Sequence, residues 1–474
     1  MEENKYIQYI NNNPDDEARK KARRHRRAVA RLWAFIAVFA VIALAGFGAF
    51  MLINAYNSGK INLELPGGSK TSTVSVDDNT NVQNTLDDLI GEEEEVVVVT
   101  PTNPDPEPTP EDLFDEKLTE MIASMPLEER VMGLFIVRPE QITGVEAVVQ
   151  AGEGTKEALA KYPVGGIVYG DKNITDDVKF SQMLKSTREY SKYPIFLILS
   201  DGNGNEGLTS KLGSDIYFEQ GAIGESKDPY VAYTKGLDNA RALQKCGLDF
   251  AIAPVADVLG NDESLAETYF MKDRSFGTDP SLVSRMVLES VNAYKECGIT
   301  PALCYFPGQG TLTQSPMDYV TTTLITPEEV KAYYYDTYKT AIDNGAGAIV
   351  VSHEYADNLT TDNMPCSLSK DIYTGILREQ FSFYDTVLIT DRLDATVISE
   401  YYTSSEACVK AIKAGADMVM CPEDFEEGYT AVIEAVRSNV ISEERINDSL
   451  KRVYKIKYAD MIKEFSSAEL SAGD

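Results

Sequence analysis

From residue 113 onward the chain repeats one pattern: a short, nearly unbroken apolar run, a polar break, then a longer stretch of helical periodicity. The runs are GLFIV (133–137), GGIVYG (165–170), IFLILSD (195–201), DFAIAPVAD (249–257), ITPALCYF (299–306), AIVVSH (348–353), TVLITD (386–391) and MVMCP (418–422). Each has strand length, and apolar residues on both alternating faces predict parallel strands covered on both sides. The intervening stretches predict helices, among them 280–297, 327–345, 426–440 and a closing helix over 442–465. Eight such βα units predict an α/β fold of the (β/α)8 TIM-barrel type over residues 113–474, with no second domain after it.

The pattern upstream is different. Residues 1–31 are polar and end in the basic run KKARRHRRAVAR, and an unbroken apolar stretch follows from Leu32 to Ile53. That stretch is long enough to cross a bilayer core, which takes about 20 residues. A cleavable signal peptide is the rival reading, but its apolar region would be about 7–15 residues long. Basic residues mark the cytoplasmic side. The expectation is therefore a single-pass cell-membrane anchor over 32–53, with a cytoplasmic N-terminus and an extracytoplasmic barrel. Residues 54–112 carry GEEEE, PTNPDPEPTPED and Ser/Thr-rich polar stretches, too poor in apolar residues to build a core. They read as a disordered acidic, Pro-rich linker with one apolar patch, VVVV at 96–99.

Composition removes several function classes. With 474 residues, 43% of them hydrophobic, the chain can build a sizeable core. Its formal net charge of -31 argues against nucleic-acid binding, because only the N-terminal basic run has charge to offer phosphates. The only two histidines are His25 and His353, which excludes a multi-His metal site. The six cysteines (246, 297, 304, 366, 408 and 421) form no CxxC spacing and read as free, buried thiols. No cofactor is expected.

In a barrel of this type the active site lies at the C-terminal strand ends. Those ends carry Asp171 and Asn173, Asp201, Asp257, Tyr305 and Phe306, His353 and Glu354, Asp391 and Glu423. Carboxylates converging on one mouth suit glycoside hydrolysis, in which one carboxylate attacks the anomeric carbon and another group protonates the leaving oxygen. The same acids can also cap the helices that follow.

From about Leu113 to Lys457 the chain resembles the N-terminal domain of glycoside hydrolase family 3, particularly its β-N-acetylglucosaminidase branch. The resemblance rests on MPLEERVMGLFIV (125–137), VGGIVYGDKNI (164–174), APVADV (253–258), RSFGTDP (274–280), the run 365–395 ending in VLITDRLDA, AGADMVMCP (414–422) and the ISEERINDSLKRVYKIK tail (441–457). It implies that Asp391, ending the seventh strand, is the nucleophile, that Asp201 and Arg274 bind sugar, and that His353 near the mouth is either a structural hydrogen-bonding group or a direct substrate contact. Tyr305 stands ready to stack on a sugar ring. The resemblance also exposes losses. Where the family has Lys-His-Phe-Pro-Gly-His-Gly, this chain has Cys304-Tyr305-Phe306-Pro307-Gly308-Gln309-Gly310. The family's Asp-Ser-His acid/base loop aligns with Ser315, Pro316 and Met317, none of which shuttles a proton at neutral pH. Asp318, just beyond, is the one nearby replacement acid.

Two outcomes are therefore expected to compete. One is a membrane-anchored glycosidase acting on amino-sugar glycans such as peptidoglycan fragments. The other is a catalytically impaired barrel that binds a glycan or a protein at the cell envelope.

Overall fold

A computed structural model describes residues 109–199 and 220–459 of the chain. The apolar stretch Leu32–Ile53, the linker up to residue 108 and Asp201 lie outside the described residues. Among the described residues no helix is long and apolar enough to cross a membrane.

All eight apolar runs form strands, in sequence order: β1 (Phe135–Val137), β2 (Gly166–Tyr169), β3 (Phe196–Leu199), β4 (Phe250–Ala251), β5 (Thr300–Phe306), β6 (Ala348–Val351), β7 (Val387–Arg392) and β8 (Met418–Met420). They pair in parallel around a closed barrel. Closure is made by β1 against β8, with Phe135 opposite Val419 and Ile136 opposite Met420. Nearly every strand residue is buried, because the barrel interior covers one face and the helical ring the other.

The helices start on the signals their sequences carry. The carboxylates of Asp176, Asp228, Asp279 and Asp424 accept amide hydrogen bonds at the N-termini of helices 177–190, 229–246, 280–296 and 425–437. Each such cap satisfies a donor that the first turn leaves open. Pro229 and Pro280 occupy the first helical position, where no amide hydrogen is needed. Thr109 and Asp112 cap each other reciprocally, so the first helix begins at Pro110, inside the segment whose composition reads as linker. The helix expected over 327–345 is not uniform. Val330–Tyr335 is wound as a π-helix before Asp336–Asp343 continues as α, and Tyr334 and Tyr338 both turn into the core.

The N-terminal end of the barrel is tied by a buried ion cluster. Asp417, just before β8, is fully buried. One of its oxygens accepts the Leu388 amide at 2.9 Å and Arg378 at 2.5 Å. The other accepts Ser449 at 2.7 Å and Arg452 at 3.0 Å, with Arg445 at 3.5 Å. Burial alone would raise this carboxyl's pKa; the charges of Arg378, Arg445 and Arg452 outweigh it and hold the value below the usual range. The cluster pins β7 to β8 and both to the last described helix, at the end of β7 away from Asp391. All six cysteines are free and buried, in line with their reading as small core residues.

Candidate active site

The C-terminal strand ends bring together Asp257 after β4, Tyr305 in β5, His353 and Glu354 after β6, and Asp391 in β7. Asp391 is almost wholly buried, and its Oδ1 accepts the backbone amide of Arg392 at 2.8 Å. The carbonyl of the next residue, Arg392, lies 2.9 Å from His353 Nε2, which places Asp391 beside His353. β7 loses regular register against β8 between Ile389 and Arg392, the kind of irregularity that re-aims side chains beside active sites.

Arg274 and Tyr305 form a pair. Nη2 of Arg274 donates to the Tyr305 hydroxyl at 3.2 Å, and the guanidinium carbon lies 5.5 Å from the centre of the Tyr305 ring. Phe270 lies beneath the same guanidinium at 6.0 Å. Part of the aromatic surface that the sequence offers to a sugar is therefore already engaged by Arg274. Burial pushes the Tyr305 hydroxyl far up, so it remains protonated and able to donate.

The fifth-strand motif is held close against its neighbours. Gly308 has φ +127, a left-handed conformation, and a Cβ there would meet the Tyr334 hydroxyl. A Cβ on Gly310 would fall 1.8 Å from the Val258 carbonyl. These two glycines turn Gln309 inward, where its amide donates to Asp257 Oδ1 at 3.0 Å and its side-chain Nε2 donates to Ser352 Oγ at 2.6 Å. Ser352 in turn donates to Glu354. The chain Asp257–Gln309–Ser352–Glu354 is buried throughout. Burial raises Asp257 to about 7, against the opposing effects of the Gln309 amide and the Arg274 charge. Burial also pushes Glu354 well above its ordinary value, with the Ser352 bond opposing.

His353 is fully buried beneath the mouth. Its Nε2 lies 2.9 Å from the Arg392 carbonyl and its Nδ1 2.7 Å from Ser367 Oγ. A carbonyl only accepts, so Nε2 carries the proton and Nδ1 accepts from the serine hydroxyl. Burial lowers the pKa of His353, with Asp391 opposing, which favours this neutral ring. The ring thus braces the backbone directly after Asp391. Asp257 and His353 stand at the strand ends as the sequence places them, but they are sealed from solvent rather than open to the mouth, because the Gln309 and Arg392 segments close over them.

The remaining polar residues singled out in the sequence divide. Asn173 is spent on structure, accepting from the Gly170 amide and donating to Glu140 and the Val148 carbonyl. Asp171, Glu423 and Asp318 are exposed. Ser315 accepts the Met317 amide at 3.2 Å, and the Met317 carbonyl accepts the Val397 amide at 3.2 Å, which joins the β5–β6 loop to the segment after β7. Met317 packs on the core. The stretch 315–317 thus reaches the neighbourhood of β7 without a proton-transferring side chain.

Three features lie beyond the reach of the sequence pattern. The Gln220 side chain donates to the Val255 carbonyl at 3.0 Å and accepts its amide at 2.9 Å, acting as a strand partner beyond β4. The Gln309–Ser352–Glu354 link joins residues 43 positions apart. Arg138, after β1, pairs with Asp394, 256 positions away. The departure of Gln309 from the family motif was the only local signal for any of them.

The family model for the glycosyl hydrolase family 3 N-terminal domain matches residues 114–456. Beta-hexosaminidase A of Pseudoalteromonas piscicida is 25% identical over 347 residues, covering 64% of this chain and only 54% of that protein. The beta-hexosaminidase LpqI of Mycobacterium tuberculosis is 25% identical over 326 residues, covering 65% of this chain and 79% of LpqI. Among solved structures, a glycoside hydrolase family 3 beta-N-acetylglucosaminidase from Paenibacillus superposes with TM-score 0.64 at 22% identity, covering 72% of this chain and 64% of that one. The M. tuberculosis LpqI structure gives TM-score 0.62 at 22% identity, covering 72% and 96%.

Proposed function

Because the chain belongs to glycoside hydrolase family 3, we propose that it is a membrane-anchored glycosidase of the β-hexosaminidase type. It acts with retention on amino-sugar glycans such as peptidoglycan fragments, with Asp391 as nucleophile. The observation that carries this reading is the position of Asp391 at the end of β7, its carboxylate held by the Arg392 amide and the following carbonyl meeting His353. The carboxylate attacks the anomeric carbon as the bond to the leaving oxygen breaks, and water then hydrolyses the glycosyl ester. Arg274, Tyr305 and Asp201 bind the sugar hydroxyls, and His353 keeps the Asp391–Arg392 segment in place. The apolar run Leu32–Ile53 behind its basic flank supports the anchor and the extracytoplasmic side.

Ser315-Pro316-Met317 supports a second reading, a barrel that binds glycan with little turnover. With no acid at that position, the leaving oxygen has to take its proton from solvent or from Asp318. General acid/base catalysis contributes about 10²–10⁴-fold, so natural glycans should turn over more slowly than a complete dyad would allow by about that factor. Activated aryl glycosides need little protonation and should be largely spared. The test compares aryl N-acetylglucosaminide with a natural disaccharide in the parent, Asp318→Asn and Asp391→Asn proteins. Fast disaccharide hydrolysis that survives Asp318→Asn contradicts the missing-acid argument. Sugar binding that depends on Arg274 and Asp201, with no turnover of either substrate, establishes the binding module instead.

A further inference from the structure

The barrel mouth holds a cleft of about 350 Å³, lined by Arg138, Val168, Gly170, Asp171, Lys172, Asn173 and Arg392. It lies at the ends of β1, β2 and β7 and includes neither Arg274 nor Tyr305, the sugar-binding pair. Its charges are layered. Arg138 pairs with Asp394, and Arg392 meets the same carboxylate with Nε at 3.6 Å, beyond a hydrogen bond. Lys172 approaches Glu140 at 3.5 Å. The two anions are the inner members, with side chains only 16% and 10% exposed. The cations are the outer members, at 29% for Arg138, 41% for Arg392 and 49% for Lys172.

The cleft thus carries three cationic side chains, of which Lys172 also donates to the Glu146 carbonyl at 3.2 Å, beside the exposed carboxylate of Asp171. Arg392 is the more exposed of the two guanidiniums: among the described residues its ionic neighbour is Asp394 at 3.6 Å, and its backbone is fixed by Asp391 and His353. A planar guanidinium with open donors matches an oxyanion in two-point contact. We propose that this cleft is a subsite for an oxyanion carried by the glycan, a carboxylate, phosphate or sulfate on a sugar, with Arg392 as its specificity-determining residue. The inference rests on the glycan reading above and deepens it: the substrate is an acidic amino-sugar glycan, and the cleft seats its charged group beside the Asp391 site.

The test is a binding titration of the full chain by calorimetry, so that it does not depend on turnover. N-acetylglucosamine 6-phosphate and 6-sulfate are compared with N-acetylglucosamine, and glucuronic acid with glucose, which separates the three oxyanions. At least one acidic sugar should bind about tenfold or more tighter than its neutral counterpart, as charge-assisted hydrogen bonds would supply. The preference should vanish in Arg392→Gln, return in part in Arg392→Lys, and weaken with added salt. Thermal melting of both variants shows that they are folded. Equal binding of acidic and neutral sugars, or a preference that survives Arg392→Gln, overturns the subsite and leaves the glycosidase reading intact. Binding of none of these sugars overturns the subsite and the glycan reading together.

Discussion

Replacing Asp417 with Asn keeps the size and shape of the side chain and removes its charge. Asp417 is fully buried and accepts from Leu388, Arg378, Ser449 and Arg452, with Arg445 nearby. After the change three guanidiniums still converge on the site with no counter-charge, and an amide hydrogen faces donors. Removing one partner of a buried ionic group typically costs about 3–5 kcal/mol. That is a large share of the roughly 5–15 kcal/mol that holds a typical domain folded. Urea unfolding of the full chain, followed by far-UV circular dichroism, measures the loss. It should fall in the 3–5 kcal/mol range and shrink when Arg378→Met is added, because the double change also removes one stranded charge. The pH dependence has a definite sign. The folded pKa of Asp417 lies below the usual value, so its contribution is full above about pH 4 and is lost as pH falls through the lower folded value. A loss under about 1 kcal/mol, or one that does not shrink in the double variant, refutes the argument that this cluster fastens β7 and β8 to the last described helix.

Asp257 behaves in the opposite sense. Its folded pKa is raised to about 7, so its contribution is full below the unfolded value and is lost as pH rises toward neutrality. Unfolding free energies of the parent and Asp257→Asn between pH 4 and 8 should diverge with pH by up to about 4 kcal/mol, and parallel curves would contradict the shift. His353→Phe removes the donor to the Arg392 carbonyl and should lower kcat on an aryl glycoside about tenfold or more, with little change in KM and partial recovery in His353→Gln. A change confined to KM would place His353 in substrate binding instead. Protease added to intact cells should cut the Pro-rich linker and release the barrel, and a barrel protected until the membrane is opened would overturn the proposed topology.

The barrel was legible because each strand is a run of consecutive apolar residues, buried on both faces, that announces itself without knowledge of its neighbours. GLFIV and TVLITD needed no partner to be recognised. The π-wound segment at 330–335 was not legible, since the extra residue per turn answers to packing of Tyr334 and Tyr338 in the core rather than to local spacing. Within the site, strand ends could be read and depth could not. His353 and Asp257 have the right positions, but their surroundings include Arg392 and Gln309, which reach them from β7 and from the loop after β5. The Arg138–Asp394–Arg392 arrangement is assembled from opposite ends of the barrel sequence, so nothing in either local stretch announces it.

The central claim is that Asp391 attacks the anomeric carbon, and the direct measurement is the mass of the intact protein after brief exposure to an activated 2-fluoro aryl glycoside. Fluorine at C2 slows both steps while the activated leaving group keeps the first one accessible, so a glycosyl ester should accumulate. The predicted result is a mass increase of one fluorosugar unit, mapped by peptide analysis to Asp391 and absent from Asp391→Asn. A label on another residue, or one that persists in Asp391→Asn, contradicts the account. So does hydrolysis of the parent aryl glycoside at full rate by Asp391→Asn.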